Sequence, residues 1–155
     1  YEFVIAGAPS QDYEFYKPFI KQKNVQFISN RTYDLLSVSY AAIVTSGTAT
    51  LETALFKVPE IVCYKGSWIS YQIGKRLVNI KYISLVNLIM DREVVTELIQ
   101  KDVSILKIQK ELDALIFDHP YREKMLSIYD EMLLLLGSEG CSKKIAQDLL
   151  GYYSK

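Results

Sequence analysis

Val44-Thr45-Ser46-Gly47-Thr48-Ala49-Thr50-Leu51-Glu52 joins two kinds of hydrophobic periodicity across one short turn. Before it, Ala41-Ala42-Ile43-Val44 is an apolar run that predicts a short buried strand. After it, Leu51, Ala54, Leu55 and Val58 recur at the i, i+3, i+4, i+7 spacing of one helix face. A strand, a Ser-Gly-Thr turn and a helix put a helix N-terminus at the carboxyl end of a strand. Free backbone N–H groups and the positive end of the helix dipole meet there, which suits a phosphate or another anion. In open α/β sheets ligands bind at that edge. Spacing alone favours a plainer reading, in which Ser46 or Thr48 caps the helix, because one glycine is a weak phosphate signal. Glu52 weighs on the other side. It follows Thr48 by one turn, on the same face, and helical side chains lean toward the N-terminus. A carboxylate beside an anion needs a reason, and hydrogen bonds from ribose hydroxyls would supply one.

Outward from this stretch, strands and helices alternate. Glu2 to Ala6 reads as a strand, closed by Gly7-Ala8-Pro9-Ser10. Ser10 or Asp12 can cap a helix running to about Phe19. Val25 to Ser29 is a second strand, and a short helix from Tyr33 to Ser39 leads into the strand at Ala41. Glu60 to Tyr64, introduced by Pro59, is a fourth strand, and Tyr82 to Leu85 a fifth. The fifth runs into Val86-Asn87-Leu88-Ile89-Met90-Asp91-Arg92-Glu93, then a helix through about Gln100. Such alternation predicts parallel βαβ units in a doubly wound, Rossmann-like α/β sheet with helices on both faces. The rest is helical: Ser104 to Phe117, then Pro120 to about Leu136 capped by Asp118 or His119, then Ser142 to about Tyr153. Residues 1–155 thus read as one domain, an α/β core over about 1–100 with added helices over about 104–155. Leu133 to Leu136 is apolar all round, which predicts that something buries that helix end.

Half of the residues are apolar and 23% are charged, as in an ordinary globular domain. Eighteen basic residues balance eighteen acidic ones, so general electrostatics gives no hold on nucleic acid. The two cysteines, Cys63 and Cys141, read as free thiols of a reducing compartment. No run approaches the length of a membrane span. There is no Cys/His cluster for a metal and no nucleophile–base pair, and the single histidine, His119, sits in a turn before proline. The chain opens on Tyr1, inside a strand, as a piece of a longer chain would. From Ile61 to Met90 there is no Asp or Glu, while Lys65, Lys75, Arg76 and Lys81 are basic. A helix over about Trp68 to Val78 would carry Trp68, Ile69 and Tyr71, which core packing or contact with an anionic membrane surface would explain. Asn87, Arg92 and Glu93 bunch polar groups at another strand end. There Arg can fork onto a diphosphate, or the group can be a loop with an Asp91 cap and a surface Arg.

Ser46-Gly47-Thr48-Ala49-Thr50-Leu51-Glu52 resembles a signature of the lipid-A-disaccharide synthases, inverting glycosyltransferases of the two-domain GT-B type. The resemblance continues through Gly74-Lys75-Arg76-Leu77-Val78, Tyr82-Ile83-Ser84-Leu85, Asn87-Leu88, Arg92-Glu93-Val94-Val95 and Glu97-Leu98-Ile99-Gln100. It is weaker at Gly140-Cys141-Ser142, Ala146 and Leu149. Where family members often have Pro-Asn-Leu, this chain has Val86-Asn87-Leu88.

The resemblance implies the C-terminal, donor-binding half of an enzyme that joins UDP-2,3-diacylglucosamine to 2,3-diacylglucosamine 1-phosphate. The products are the β-1,6 lipid A disaccharide 1-phosphate and UDP. Ser46, Gly47 and Thr48 would cradle the diphosphate, Glu52 would hold the ribose, and Asn87, Arg92 and Glu93 would complete the donor site. No cofactor and no metal is expected, since a helix N-terminus with an Arg can stabilise the leaving UDP. The general base and the acceptor site would lie in an N-terminal half absent here, so this chain alone would bind UDP without turnover. The implied location is peripheral, on the cytoplasmic face of the inner membrane, with a homo-oligomer through the C-terminal helices as an option. Two alternatives stand beside it: another UDP-sugar transferase or epimerase, such as a peptidoglycan-type enzyme, or a catalytically silent Rossmann-like assembly module.

Overall fold

Parallel strands carry the chain, and the structure, a computed structural model, describes residues 1–66, 81–137 and 140–153. The expected helix over Trp68 to Val78 lies outside the described residues. β1 (Phe3–Gly7) pairs in parallel with β2 (Val25–Ser29), from Phe3 opposite Val25 to Gly7 opposite Ser29. The crossover contains α1 (Tyr13–Tyr16), which Asp12 caps by accepting from the Phe15 N–H, and a 3₁₀ turn at Lys17–Phe19. Tyr13 and Tyr16 lay their rings on Phe27 of β2, at 5.3 and 5.1 Å between centroids. After α2 (Thr32–Val38), β3 (Ala42–Thr45), α3 (Thr48–Leu55) and β4 (Glu60–Tyr64) follow in order.

β4 is the middle strand of a second parallel sheet, in the order β3-β4-β5 with β5 at Thr96–Ile99. Neighbouring residues of a strand face opposite sides, and both Ile61 (1% exposed) and Val62 (0%) are buried, so this sheet is covered on both faces. Val86, Val94, Val95, Leu98, Leu115, Met125 and Met132 complete that core. The α/β reading holds, but the ladder is divided into sheets of two and three strands rather than one continuous sheet. Side chains bridge the two parts. Arg122 donates through Nη1 to the Tyr40 carbonyl at 2.7 Å and lies 3.7 Å over the Tyr40 ring, while Tyr33 stacks on Phe56.

The fifth strand is displaced from its predicted place. Tyr82 to Leu85 is a turn entering α4 (Leu85–Met90), whose Ser84 cap accepts from the Asn87 N–H. Asp91 ends that helix in the left-handed conformation, and the predicted helix to Gln100 is instead the approach to β5 and β5 itself. A 3₁₀ turn (Gln100–Asp102) leads to α5 (Ile105–Phe117), capped by Ser104, and α6 (His119–Leu136), capped by Asp118 with Pro120 in its first turn. α7 spans Cys141–Tyr153. Leu134, Leu135 and Leu136 are exposed in this chain, so no described residue supplies the cover expected at the end of α6. No helix among the described residues is long and apolar enough to cross a membrane.

Candidate functional site

The carboxyl ends of β3 and β4 lie side by side, because Ser46 extends the ladder by donating its N–H to the Cys63 carbonyl at 3.1 Å. Gly47 then turns the chain into α3 with φ +150° and ψ −164°, a conformation that belongs almost wholly to glycine. Neither Ser46 nor Thr48 caps the helix: Gly47 occupies the cap position and no side chain accepts from the first turn. The Ser46 hydroxyl points elsewhere, donating to the Ile83 carbonyl at 3.1 Å. Gly47, Thr48 and Ala49 are exposed, and the first N–H groups of α3 have no intrahelical acceptor. Glu52 is half-buried one turn along, and its carboxylate makes no hydrogen bond or ion pair with another described residue.

A second helix start sits against the first. α4 begins at Ser84; its own first N–H groups donate to the Thr50 hydroxyl (Leu85) and the Ser84 hydroxyl (Asn87), and the two N–H groups just before it are taken up by the chain's own carboxylate. Glu97 of β5 accepts from the Ile83 N–H (3.0 Å to Oε2), the Ser84 N–H (2.9 Å), the Ser84 hydroxyl (2.8 Å) and the Asn87 Nδ2 (2.9 Å). Of these two neighbouring helix starts, one is filled by internal acceptors and the other is open. A backbone that presents free N–H groups and helix-dipole charge at a sheet's carboxyl edge is equipped to hold an external anion.

The remaining predicted residues divide. Asn87 is completely buried and fully engaged. Its Oδ1 accepts from the Val94 and Val95 N–H groups at 2.7 and 3.0 Å, and its Nδ2 donates to the Val95 carbonyl and to Glu97. It braces the α4–β5 connection and presents no free group. Arg92 and Glu93 precede Thr96, the first residue of a strand parallel to β3, and so lie at the amino edge of the sheet, away from Ser46–Thr48. There Arg92 pairs with Glu131 of α6, and Glu93 lines a shallow cavity of about 400 Å³ with Thr96, Lys110, Glu111 and Tyr121. The structure therefore gathers Ser46, Gly47, Thr48 and Glu52 on one turn and helix, holds Asn87 behind them, and does not bring Arg92 and Glu93 to that edge. Reasoning from sequence missed Thr50, Ser84 and Glu97. Glu97 carried a signal, as a lone acid inside the β-rich run Val94-Val95-Thr96-Glu97-Leu98-Ile99. Among the described residues no cluster of His, Cys, Asp or Glu could hold a metal ion.

Gly47 yields a direct test. A Cβ there would meet nothing within 4 Å, so only the backbone conformation opposes a side chain. Gly47→Ala is expected to lower the unfolding free energy by about 1–3 kcal/mol, read by urea denaturation. A variant as stable as the parent would show that the turn adopts another conformation.

Parallel strands covered by helices on both faces, with an open helix start at their carboxyl edge, define a Rossmann-like α/β domain of the ligand-binding kind. The sequence pattern of one family, described as lipid-A-disaccharide synthetase, matches residues 9–147, and the chain belongs to that family. It is 35% identical over 97% of its length to a lipid-A-disaccharide synthase of Anaeromyxobacter dehalogenans (strain 2CP-C), of which it covers 40%. It is 38% identical over 85% of its length to that of Geobacter sulfurreducens, covering 34% of the relative, and 38% identical over 94% to that of Syntrophus aciditrophicus, covering 39%. The chain thus spans about two fifths of the length of these relatives.

Proposed function

We propose that this chain is the C-terminal, donor-binding part of a lipid-A-disaccharide synthase. In this reading the open start of α3 holds the diphosphate of UDP-2,3-diacylglucosamine. The N–H groups that follow Gly47 point at its oxygens, and Glu52 accepts from the ribose hydroxyls. As the glycosidic bond to UDP breaks, negative charge grows on the diphosphate, and backbone N–H groups fixed beforehand by a helix stabilise it without reorganising. The acceptor, 2,3-diacylglucosamine 1-phosphate, and the general base that takes its hydroxyl proton are assigned to the part of the protein outside this chain, because among the described residues no side chain at this edge is placed for proton transfer. The diacylated substrates put the reaction at a membrane surface, which we infer to be the cytoplasmic face of the inner membrane. Arg92 and Glu93 are assigned to the amino edge, where Arg92 ties the α4–β5 connection to α6. The observation that carries the reading is the contrast between the two helix starts, α4 closed by the Thr50 and Ser84 hydroxyls and α3 open. Membership of the family sets aside the peptidoglycan-type alternative.

UDP is expected to bind this chain, to shift the amide resonances of Gly47, Thr48 and Ala49, and to produce no transfer. Absence of any shift on UDP addition would refute the reading. Glu52→Gln weakens a charge-assisted hydrogen bond, so UDP affinity is expected to fall about tenfold, while 2′,3′-dideoxy-UDP binds variant and parent alike. Equal losses for both nucleotides would remove Glu52 from the ribose.

A further inference from the structure

Two short relays of hydrogen bonds connect the loop at 82–85 to the Ser46-Gly47-Thr48 turn. In the first, the Ser46 hydroxyl donates to the Ile83 carbonyl at 3.1 Å. In the second, the Leu85 N–H donates to the Thr50 hydroxyl at 3.3 Å, and that hydroxyl donates to the Gly47 carbonyl at 2.8 Å. Both relays start from peptides whose position is set by one side chain. The Glu97 carboxylate holds the N–H of Ile83 through both of its oxygens, at 3.1 and 3.0 Å, and the N–H and hydroxyl of Ser84 through Oε1. Its fourth donor, Asn87, clamps Val94 and Val95 with its remaining groups, so the loop, α4 and the start of β5 are fixed as one unit. Thr50 is itself completely buried, which leaves water no room to replace the relay.

We propose that Glu97 is a positioning residue of the nucleotide site: its carboxylate holds the loop at 82–85 so that Ser46 and Thr50 keep the Gly47 turn in its open conformation. The proposal rests on the reading of the α3 start as a diphosphate site. The physical case is one of geometry. Gly47, having no Cβ, has many backbone conformations open to it, so the turn keeps this one only where its surroundings select it, and the hydrogen bonds from Thr50 and Ser46 do so. Glu97 touches no ligand in this scheme. It holds the two residues that lead into α4, and it leaves the start of α3 for an external anion.

Glu97→Gln places an amide N–H₂ where peptide N–H groups already donate, so a donor faces a donor and the loop must shift. Three results are expected in this chain. The Gly47 and Thr48 amide resonances of the ligand-free protein move, UDP affinity falls about tenfold, and the effect on affinity is not additive with that of Ser46→Ala, because both act through the Ile83 carbonyl. Leu115→Ala, which loses core packing on α5 away from both relays, is expected to lose stability yet keep UDP affinity within twofold. Should Glu97→Gln fail to fold, Thr50→Val, which keeps the shape and removes the second relay, is held to the first two results. A Glu97 or Thr50 variant that behaves like Leu115→Ala overturns the proposal. Parent protein that does not bind UDP overturns the nucleotide reading instead, and the ligand-free Gly47 resonances then decide the positioning role alone.

Discussion

Replacing Glu60 by glutamine is expected to abolish a steep loss of stability between pH 5 and pH 8. Glu60 opens β4 completely buried, and neither carboxyl oxygen has a hydrogen-bond partner among the described residues. Tyr129 of α6 packs there too, its hydroxyl beside the Glu60 backbone but without hydrogen-bond geometry. Removal from water disfavours the charged form and pushes the Glu60 pKa from 4.5 up to about 9. Below pH 4.5 the folded and unfolded chains both carry the proton, and the group adds no pH dependence. Between 4.5 and about 9 the unfolded chain has lost it and the folded chain has not, so stability falls by ~1.4 kcal/mol per pH unit. By pH 7 the loss is about 3 kcal/mol. Above about 9 the folded state ionises as well and the slope ends. Burial also raises Tyr129, Tyr121 and Cys63, but from starting values of 10.0, 10.0 and 9.0, so they titrate outside this window. Glutamine keeps the shape and has no proton to lose. Urea denaturation at pH 5, 6, 7 and 8 is expected to show a falling parent and a level Glu60→Gln, nearly equal at pH 5 and separated by several kcal/mol at pH 8. A parent whose stability stays level across those pH values would mean that the carboxyl finds a partner or water.

The strands read best from sequence were those whose register is set locally. β2 and β4 fall where Val25 to Ser29 and Glu60 to Tyr64 were expected, because each is a β-favouring run bounded by turn residues. α5 and α6 were equally legible, since Ser104, Asp118 and Pro120 are start signals that act within one helical turn. The region from Tyr82 to Gln100 was misread for the opposite reason. Tyr82 and Ile83 favour a strand, and Glu93 with Glu97 looks like a helix face. What decides the matter is tertiary, because the Glu97 carboxylate and the Asn87 amide draw the loop at 83–85 and the Val94–Val95 peptides together. Glu60 hides in the same way, since an acid opening a strand reads as a wet edge until α6 is laid over it.

The candidate site was legible to the extent that it is local. Ser46, Gly47, Thr48 and Glu52 share one turn and one helix, so spacing alone brings them together, and the structure adds that Gly47 holds the cap position itself. Whether Arg92 and Glu93 join them depends on which end of the last strand they stand at. Moving that strand from Tyr82–Leu85 to Thr96–Ile99 turns a residue after a strand into a residue before one, and so transfers both to the opposite edge.

Asn87→Ala is expected to be among the most destabilising single changes in this chain, although the residue carries no charge and contacts no proposed ligand. All four of its side-chain hydrogen bonds are internal, and the residue is completely buried. Truncation leaves the Val94 and Val95 N–H groups, the Val95 carbonyl and one bond of Glu97 without a partner in a site closed to water. Each orphaned buried group costs 1–3 kcal/mol, and shared strain keeps the sum below full additivity, so a loss of roughly 3–5 kcal/mol follows. Leu88→Ala, one residue along α4 with an exposed side chain, is expected to cost far less. Asn87→Asp separates the donor from the acceptor role. Its carboxylate still accepts from Val94 and Val95, but it faces the Glu97 carboxylate where an amide N–H stood. Its defect is therefore expected to be large at neutral pH and to shrink in acid, where a proton restores the missing donor. Urea denaturation of the three variants at pH 5 and pH 7 reads both effects. A cost below about 1 kcal/mol for Asn87→Ala would show that water or a shifted backbone satisfies those groups, and that the α4–β5 brace is weaker than its hydrogen bonds indicate.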